Sequence, residues 1–210
     1  MSFARKPNIA VFASGSGSNF ERIAAAAAGG AASYEVALLV CDKPNAQAIA
    51  RAERLGVPVF AARPKDYASR EAYEADVVAK LREFGVDFVV LAGYMRLITD
   101  TLLSAYDNRI LNVHPSLLPA FPGLHAVEQA IEYGAKAAGV TVHFVDGGMD
   151  SGPIIAQEAI PVRDDDTAET LYPRIQEIEH RLYPAVVSAF AEGRVRLEGR
   201  RVTIEGGLYK

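Results

Sequence analysis

Short apolar runs alternate with helical periodicity along the first half of the chain. The run NIAVFA (8–13), ended by Ser and Gly, has the pattern of a buried strand. SNFERIAAAAA (18–28) follows with helical character. Ser18 or Asn19 can cap it, Glu21 sits in its first turn, and Gly29 and Gly30 stop it. The alternation continues with a strand at 34–42, a helix at 45–56, a strand at 57–62, an amphipathic helix at 69–85 closed by Gly85, and a strand at 86–93. That last strand, VDFVVLAG, is apolar on both faces, as in a parallel sheet covered by helices.

The pattern predicts an α/β fold with a doubly wound, mostly parallel sheet of Rossmann-like type. Beyond a short helical segment at 99–106, RILNVH (109–114) is the next strand, followed by a Pro-rich loop and a helix at 125–134. GVTVHFVD (139–146) and GPIIAQEAIPV (152–162) form a strand pair around a Gly-rich turn. A long helix is expected over 167–192 and a terminal hairpin over 194–207, alternating around Gly199.

The 210 residues, half of them apolar, suffice for one core. No linker divides the chain and no internal repeat is visible. A formal net charge of −4 with mixed signs and no basic tail argues against nucleic acid as a partner. Cys41 is the single cysteine, which excludes an intrachain disulfide and points to a reducing compartment. No apolar run reaches the roughly 18 residues of a membrane span, and the start lacks a signal-peptide core. The expectation is a soluble cytoplasmic protein.

ASGSGSNF (13–20) joins the first strand to the first helix. Gly15 and Gly17 allow tight positive-φ turns, and successive N–H groups at a helix start can converge on an anion. The loop lacks the Gly-Lys-Ser/Thr of a Walker loop. Phe20 stands where a dinucleotide fingerprint needs its third glycine, although Asp42 imitates a ribose-binding acid. A phosphomonoester site is the preferred reading, with a bare glycine turn as the plain alternative.

The stretch ILNVHPSLLPAFPGLHA (110–126) carries the other candidate chemistry. Alternation along a strand puts Ile110, Asn112 and His114 on one face, with adjacent Cα atoms roughly 6.5–7 Å apart. An amide and an imidazole at a strand tip can donate to one oxyanion, and the imidazole can carry a proton. A structural histidine hydrogen-bonded to Asn112 explains the pair equally well. In VDGGMDSGPII, Asp146 and Asp150 lie on a Gly-rich loop. A carboxylate beside His114 would stabilise the imidazolium and fix its tautomer, and Asp150 is the better placed of the two. His125 is expected to begin a helix, His143 to fill a structural place in a strand, and His180 to face solvent. No spacing resembles a metal site and no G-x-S-x-G is present.

Taken together, SGSGSN (14–19), AGYMRLIT (92–99), NVHPSLLPAFPGLHA (112–126), GVTVHFVDGGMDSGPIIAQ (139–157) and EHRLYP (179–184) occur in order. They resemble the phosphoribosylglycinamide formyltransferase family of folate-dependent enzymes, over roughly residues 8 to 193. The resemblance implies formyl transfer from the co-substrate 10-formyltetrahydrofolate to the amine of glycinamide ribonucleotide in purine biosynthesis, with no metal. It implies that Asn112 and His114 flank the formyl oxygen and that Asp150 tunes His114. Gly17, Ser18 and Asn19 would hold the phosphate. Glu179 would contact the ribose, with Gln176 near the same ligand. Met95, Arg96, Leu97 and Ile98 would line the folate pocket, assisted by Arg70. The phosphate-binding half then spans about 1–100 and the folate and catalytic half about 101–193, in a monomer or homodimer. Asp42 departs from the family's usual Asn, and Gly147-Gly148 would make the Asp150 loop flexible.

Three rivals share some of these features. Formyltetrahydrofolate hydrolase would hand the formyl group to water, and methionyl-tRNA formyltransferase would carry a further tRNA-binding domain. The chain has room for neither family's extra domain. A non-catalytic nucleotide-binding module would keep the phosphate loop alone.

Overall fold

The computed structural model describes residues 3–208. Strands β1 (Asn8–Ala13), β2 (Glu35–Cys41), β3 (Val59–Ala61), β4 (Phe88–Leu91) and β5 (Ile110–His114) pair in parallel. β6 (Ala137–Phe144) and β7 (Ile154–Pro161) continue the sheet in antiparallel fashion. The order is β3-β2-β1-β4-β5-β6-β7. The doubly wound, mostly parallel sheet expected from the pattern is therefore present.

Helices α1 (Ser18–Ala28), α2 (Gln47–Arg54), α3 (Arg70–Glu83), α4 (Asp100–Ala105), α5 (Ala126–Tyr133) and α6 (Ala168–Ala191) fill the connections. Alternation sorts each strand's side chains into two cores. Ile9, Val11, Phe88, Val90 and Leu111 pack with Ile23 of α1 and Tyr183, Val187 and Phe190 of α6. Ala10, Phe12, Val89 and Ile110 pack with Tyr73, Val77 and Leu81 of α3 and Leu102 of α4. Both faces of the central strands are covered, which explains their unbroken apolar runs.

Several expected elements are shorter in the structure. The strand predicted over 86–93 ends at Leu91, because the chain turns at Gly93 with φ +74°. The edge strand β3 keeps only three residues; Pro58 before it has no N–H to give a ladder. α2 begins at Gln47 rather than 45, after the turn made by Pro44 and Asn45. Local chemistry sets the other ends. The Ser69 hydroxyl accepts from Ala72 N–H at the start of α3, and Thr167 with Thr170 forms a reciprocal cap on α6. The terminal hairpin is β8 (Val195–Glu198) with β9 (Arg201–Ile204).

The strand order reverses direction at β1 and β4, and the crevice beyond their carboxyl ends is where such sheets bind ligands. Two hydrogen bonds stitch that crevice together. Ser14 N–H donates to the Gly93 carbonyl at 3.1 Å, and Met95 N–H donates to Ser14 Oγ at 2.9 Å. Beneath it, the buried Tyr183 hydroxyl lies 2.8 and 3.0 Å from the Leu91 and Leu111 carbonyls, tying α6 to the end of β4 and to the first half of β5.

Candidate active site

A cavity of about 410 Å³ opens at the carboxyl ends of β1, β4 and β5. Asn112, His114 and Asp150 all line it. β5 brings the first two there on the face they share with Ile110. His114 is 5% exposed. Its Nε2 is 2.9 Å from the Phe121 carbonyl, which can only accept, so Nε2 carries a hydrogen. Its Nδ1 faces Asp150 Oδ2 at 3.4 Å. Asp150 is held in turn by Gly123 N–H, which donates to Oδ2 at 2.8 Å. The Pro-rich loop and the Gly-rich loop thus meet at one carboxylate.

The backbone is bent to reach this arrangement. Phe121 (φ +52°), His125 (φ +60°) and Asp150 (φ +49°) occupy left-handed conformations uncommon for residues with a Cβ. Such outliers cluster where surrounding contacts hold them for function. Asp146 has a different task from Asp150. Its Oδ1 accepts from Ser151 Oγ at 2.6 Å and from Gly148 N–H at 3.1 Å, closing the turn. A Cβ on Gly148 would lie 2.1 Å from Ser151 Oγ, so glycine there allows close approach. The loop is further tethered from outside: the Arg200 guanidinium, on the terminal hairpin, donates to the Ser151 carbonyl at 2.8 Å. The loop expected to be flexible carries these three hydrogen bonds.

His143, expected to fill a structural place in its strand, does more than that. It lines the cavity, is 2% exposed, and stands opposite Asn112 in the β5–β6 register. Asn112 Nδ2 lies 3.2 Å from His143 Nε2, while His143 Nδ1 lies 2.7 Å from the Phe144 carbonyl. Since that carbonyl accepts, Nδ1 carries the hydrogen and Nε2 accepts from the Asn112 amide. Burial pushes the His143 pKa down, which keeps the imidazole neutral and its acceptor available. The histidine bonded to Asn112 is therefore His143, not His114. A signal was present: Thr141 and His143 break the apolar alternation of GVTVHFVD on one face, and both are buried.

At the other end of the cavity, Asn19 Nδ2 donates to Glu179 Oε2 at 2.8 Å, both side chains being buried and both lining the space. Burial raises the Glu179 pKa, and the Asn19 bond opposes that shift. Asn19 Oδ1 has no partner, so its free atom is an acceptor, suited to an amine or hydroxyl. Gly17 and Ser18 do not line the cavity but sit at the start of α1 beside it. Gly17 adopts φ +73°, and a Cβ there would come within 2.6 Å of Ala48 Cβ. α2 holds this loop by its carbonyls: Ala48 N–H donates to Gly15 O at 3.1 Å, and Arg51 Nε to Ser16 O at 2.9 Å. The N–H groups of Gly17, Ser18 and Asn19 have no acceptor among the described residues, which leaves an anion cradle.

The apolar wall comes from the β4–α4 loop. Met95, Arg96, Leu97 and Ile98 all line the cavity, with Met95 and Leu97 exposed. Arg70 lies outside the lining and donates to the Leu97 carbonyl at 2.7 Å, so it braces the loop. Gln176 is half-buried on α6 and is not among the lining residues; Tyr172, one turn away, is. Asp42, the imitation ribose acid, instead grips Arg96: Oδ2 lies 2.6 Å from Arg96 Nε. His125 precedes α5 as expected and is exposed. His180 is half-buried with an unpartnered Nε2, which corrects the expected solvated position; it packs toward Arg22, Arg51 and Glu21. Among the described residues no helix is long and apolar enough to cross a membrane, and no group of three His, Cys, Asp or Glu is arranged to hold a metal ion.

The whole arrangement offers an amide donor, a histidine–carboxylate pair, an anion cradle and an apolar wall around one space. The chain is similar to many known proteins. The sequence profile of the formyl transferase family matches residues 7–187. A phosphoribosylglycinamide formyltransferase of Bacillus subtilis is 54% identical over 178 residues, covering 85% of this chain and 91% of that protein. One of Escherichia coli is 37% identical, covering 95% and 94%. The crystal structure of glycinamide ribonucleotide transformylase 1 from Symbiobacterium toebii superposes with a TM-score of 0.94 at 49% identity, covering 96% of this chain and 95% of that one.

Proposed function

Since this chain belongs to the formyl transferase family, we propose that it transfers a formyl group from 10-formyltetrahydrofolate to the amine of glycinamide ribonucleotide, as a phosphoribosylglycinamide formyltransferase of purine biosynthesis. The observation that carries this reading is the strand-tip pair Asn112 and His114, backed by Asp150, opening on the same cavity as Asn19 and Glu179.

The two substrates enter from opposite ends. The phosphate rests on the N–H groups of Gly17, Ser18 and Asn19 at the start of α1, where the helix dipole favours negative charge. Asn19 Oδ1 and the Glu179 carboxylate receive hydroxyl or amine protons of the same substrate. The folate ring lies against Met95, Leu97 and Ile98, with Arg96 at the cavity's edge.

Attack of the amine on the formyl carbon turns the carbonyl oxygen into an oxyanion. Asn112 Nδ2 has two hydrogens; one is committed to His143 and the other is free for that oxygen. His114 is the proton carrier, and Asp150 compensates the charge it gains when protonated. The amine must lose a proton and the folate nitrogen must gain one, and the pair can serve both transfers. Removing a single oxyanion donor typically costs about 10²–10³ in turnover.

The test is to mix the purified chain with both substrates and follow tetrahydrofolate and the formylated ribonucleotide. Equal appearance of both products supports the reading. Release of formate without need of the ribonucleotide would make the protein a hydrolase, and binding without turnover would make it a nucleotide-binding module.

A further inference from the structure

α3 turns one face toward the loop that forms the apolar wall of the cavity. Arg70, Tyr73 and Glu74 stand at i, i+3 and i+4, so they share that face. Each holds a different part of the chain between β4 and α4. The Arg70 guanidinium donates to the Leu97 carbonyl at 2.7 Å, and the Tyr94 hydroxyl donates to that of Tyr73 at 3.3 Å. Glu74 takes the far end. Its carboxylate accepts from Thr99 N–H at 2.9 and 3.2 Å, from Thr99 Oγ1 at 2.6 Å and from Leu102 N–H at 3.2 Å. Thr99 caps α4, and the four residues before it, Met95, Arg96, Leu97 and Ile98, all line the cavity.

Glu74 is 5% exposed and takes no part in the formyl transfer. A buried carboxylate is costly unless its lone pairs are met, and a well-packed apolar group in such a place is often as stable or more so. α3 and α4 already pack through Val77, Leu81 and Leu102 in the second core. Cohesion between the two helices therefore does not require the charge. What the carboxylate adds is direction, because three donors from one turn of chain converge on it in charge-assisted bonds. The wall needs that direction. Met95 and Leu97 are 60% and 55% exposed, so apolar burial does not hold them in place.

We propose that Glu74 is a positioning residue for the co-substrate: by fixing Thr99 it sets how far residues 95–98 stand into the cavity. The identity of that co-substrate rests on the formyl-folate reading above. Glu74 then governs folate affinity from outside the cavity lining. The phosphate loop and the strand-tip pair are held by other partners, namely Arg51 for Ser16, His143 for Asn112 and the Phe121 carbonyl for His114.

The experiment measures kcat and both KM values for Glu74→Gln, which keeps the shape and turns one acceptor into a donor facing donors. The KM for the folate should rise at least about fivefold, while kcat and the KM for the ribonucleotide stay within about twofold, the pattern of lost uniform binding. A merely structural role would lower Tm and the active fraction and leave both KM values alone, and that result would overturn the proposal. So would an equal rise in both. Thr99→Val removes only the hydroxyl donor, and its folate KM should rise about threefold, on the scale of one charge-assisted bond. An unchanged KM there overturns the proposal even where Glu74→Gln fails to fold. Combined with Glu74→Gln, Thr99→Val should add little, because both break the same contact; fully additive effects would separate the two residues and overturn it. Leu81→Val, two turns along α3, should lower Tm without moving the folate KM; a rise matching that of Glu74→Gln would trace the effect to a loosened helix and overturn it as well. Failure of the original chain to turn over formyl folate would instead strike the reading of the main site, and this inference with it.

Discussion

Asn112 and His143 face each other across the β5–β6 ladder, with the Asn112 amide donating to a neutral imidazole at 3.2 Å. The histidine fixes which way the amide points, so the free Nδ2 hydrogen and not the carbonyl oxygen is offered to the cavity. Asn112→Ala should cut kcat about a hundredfold or more, on the scale of an oxyanion donor. His143→Leu keeps Asn112 but releases its orientation, and the expected loss is smaller, about tenfold. Steady-state kinetics check this; kcat in His143→Leu equal to the original chain would remove the orienting role.

Asp150 couples two loops to His114 through one carboxylate oxygen. Asp150→Asn preserves shape and the Gly123 bond but removes the charge. Turnover should fall about a hundredfold, and the acidic limb of the pH–rate profile should move. A profile that keeps its limb while losing amplitude would separate Asp150 from proton transfer and leave it a purely geometric part.

Burial holds the His143 pKa below its usual value, and His180 shifts the same way. The unfolded chain therefore binds more protons than the folded one as pH falls through about 6.5. Stability from these two groups is complete above that pH and is lost as pH drops toward their folded values. Glu179, whose pKa burial raises, acts in the opposite sense: it favours folding most below its unfolded value near 4.5 and loses that contribution as pH rises. Thermal unfolding should show Tm lower at pH 5.5 than at 7.5, by roughly 2–4 °C per kcal/mol at this chain length. A smaller drop in His143→Leu would trace the effect to that residue, and an identical drop would exclude it.

Gly17 is both left-handed and pressed against Ala48. Gly17→Ala must shift the loop that presents the N–H groups of Ser18 and Asn19. The KM for the ribonucleotide should rise at least about tenfold while the KM for the folate stays within about twofold. A selective folate defect would contradict the cradle assignment. Circular dichroism separates a displaced loop from a lost fold.

Arg200 reaches from the terminal hairpin to the Ser151 carbonyl, one residue beyond Asp150. A hydrogen bond from a charged donor to an exposed carbonyl is worth about 1 kcal/mol, so Arg200→Ala should slow kcat about fivefold. Faster amide exchange confined to the loop around Gly147 and Gly148 would accompany it. Unchanged exchange there would free the hairpin from any role in the site.

Much of the fold was legible because its signals are local. Apolar alternation, Ser and Thr caps and Gly stops act within a few residues, and the strands and helices they mark fall within a few residues of their predicted ends. Asn112, His114 and Asp150 were legible because polar groups at a strand tip and on a Gly-rich loop break those local patterns. The family resemblance implies a folate contact for Arg70, and in the structure its guanidinium donates to the Leu97 carbonyl; neither partner's sequence neighbourhood marks that bond. Asp42 was read as an imitation ribose acid because its place after a strand is suggestive, but its partner Arg96 lies 54 residues away.

What the amino-acid sequence determined alone was the order of strands and helices, the faces they bury, and which side chains stand at the strand ends. The tertiary structure decided which of those side chains meet: His143 with Asn112 across 31 residues, Asn19 with Glu179 across 160, and Arg200 with the Asp150 loop across 49. The physical reason is one of range. Backbone preferences and hydrophobic periodicity are set by near neighbours, whereas strand register and loop docking emerge only when the two cores close on the sheet.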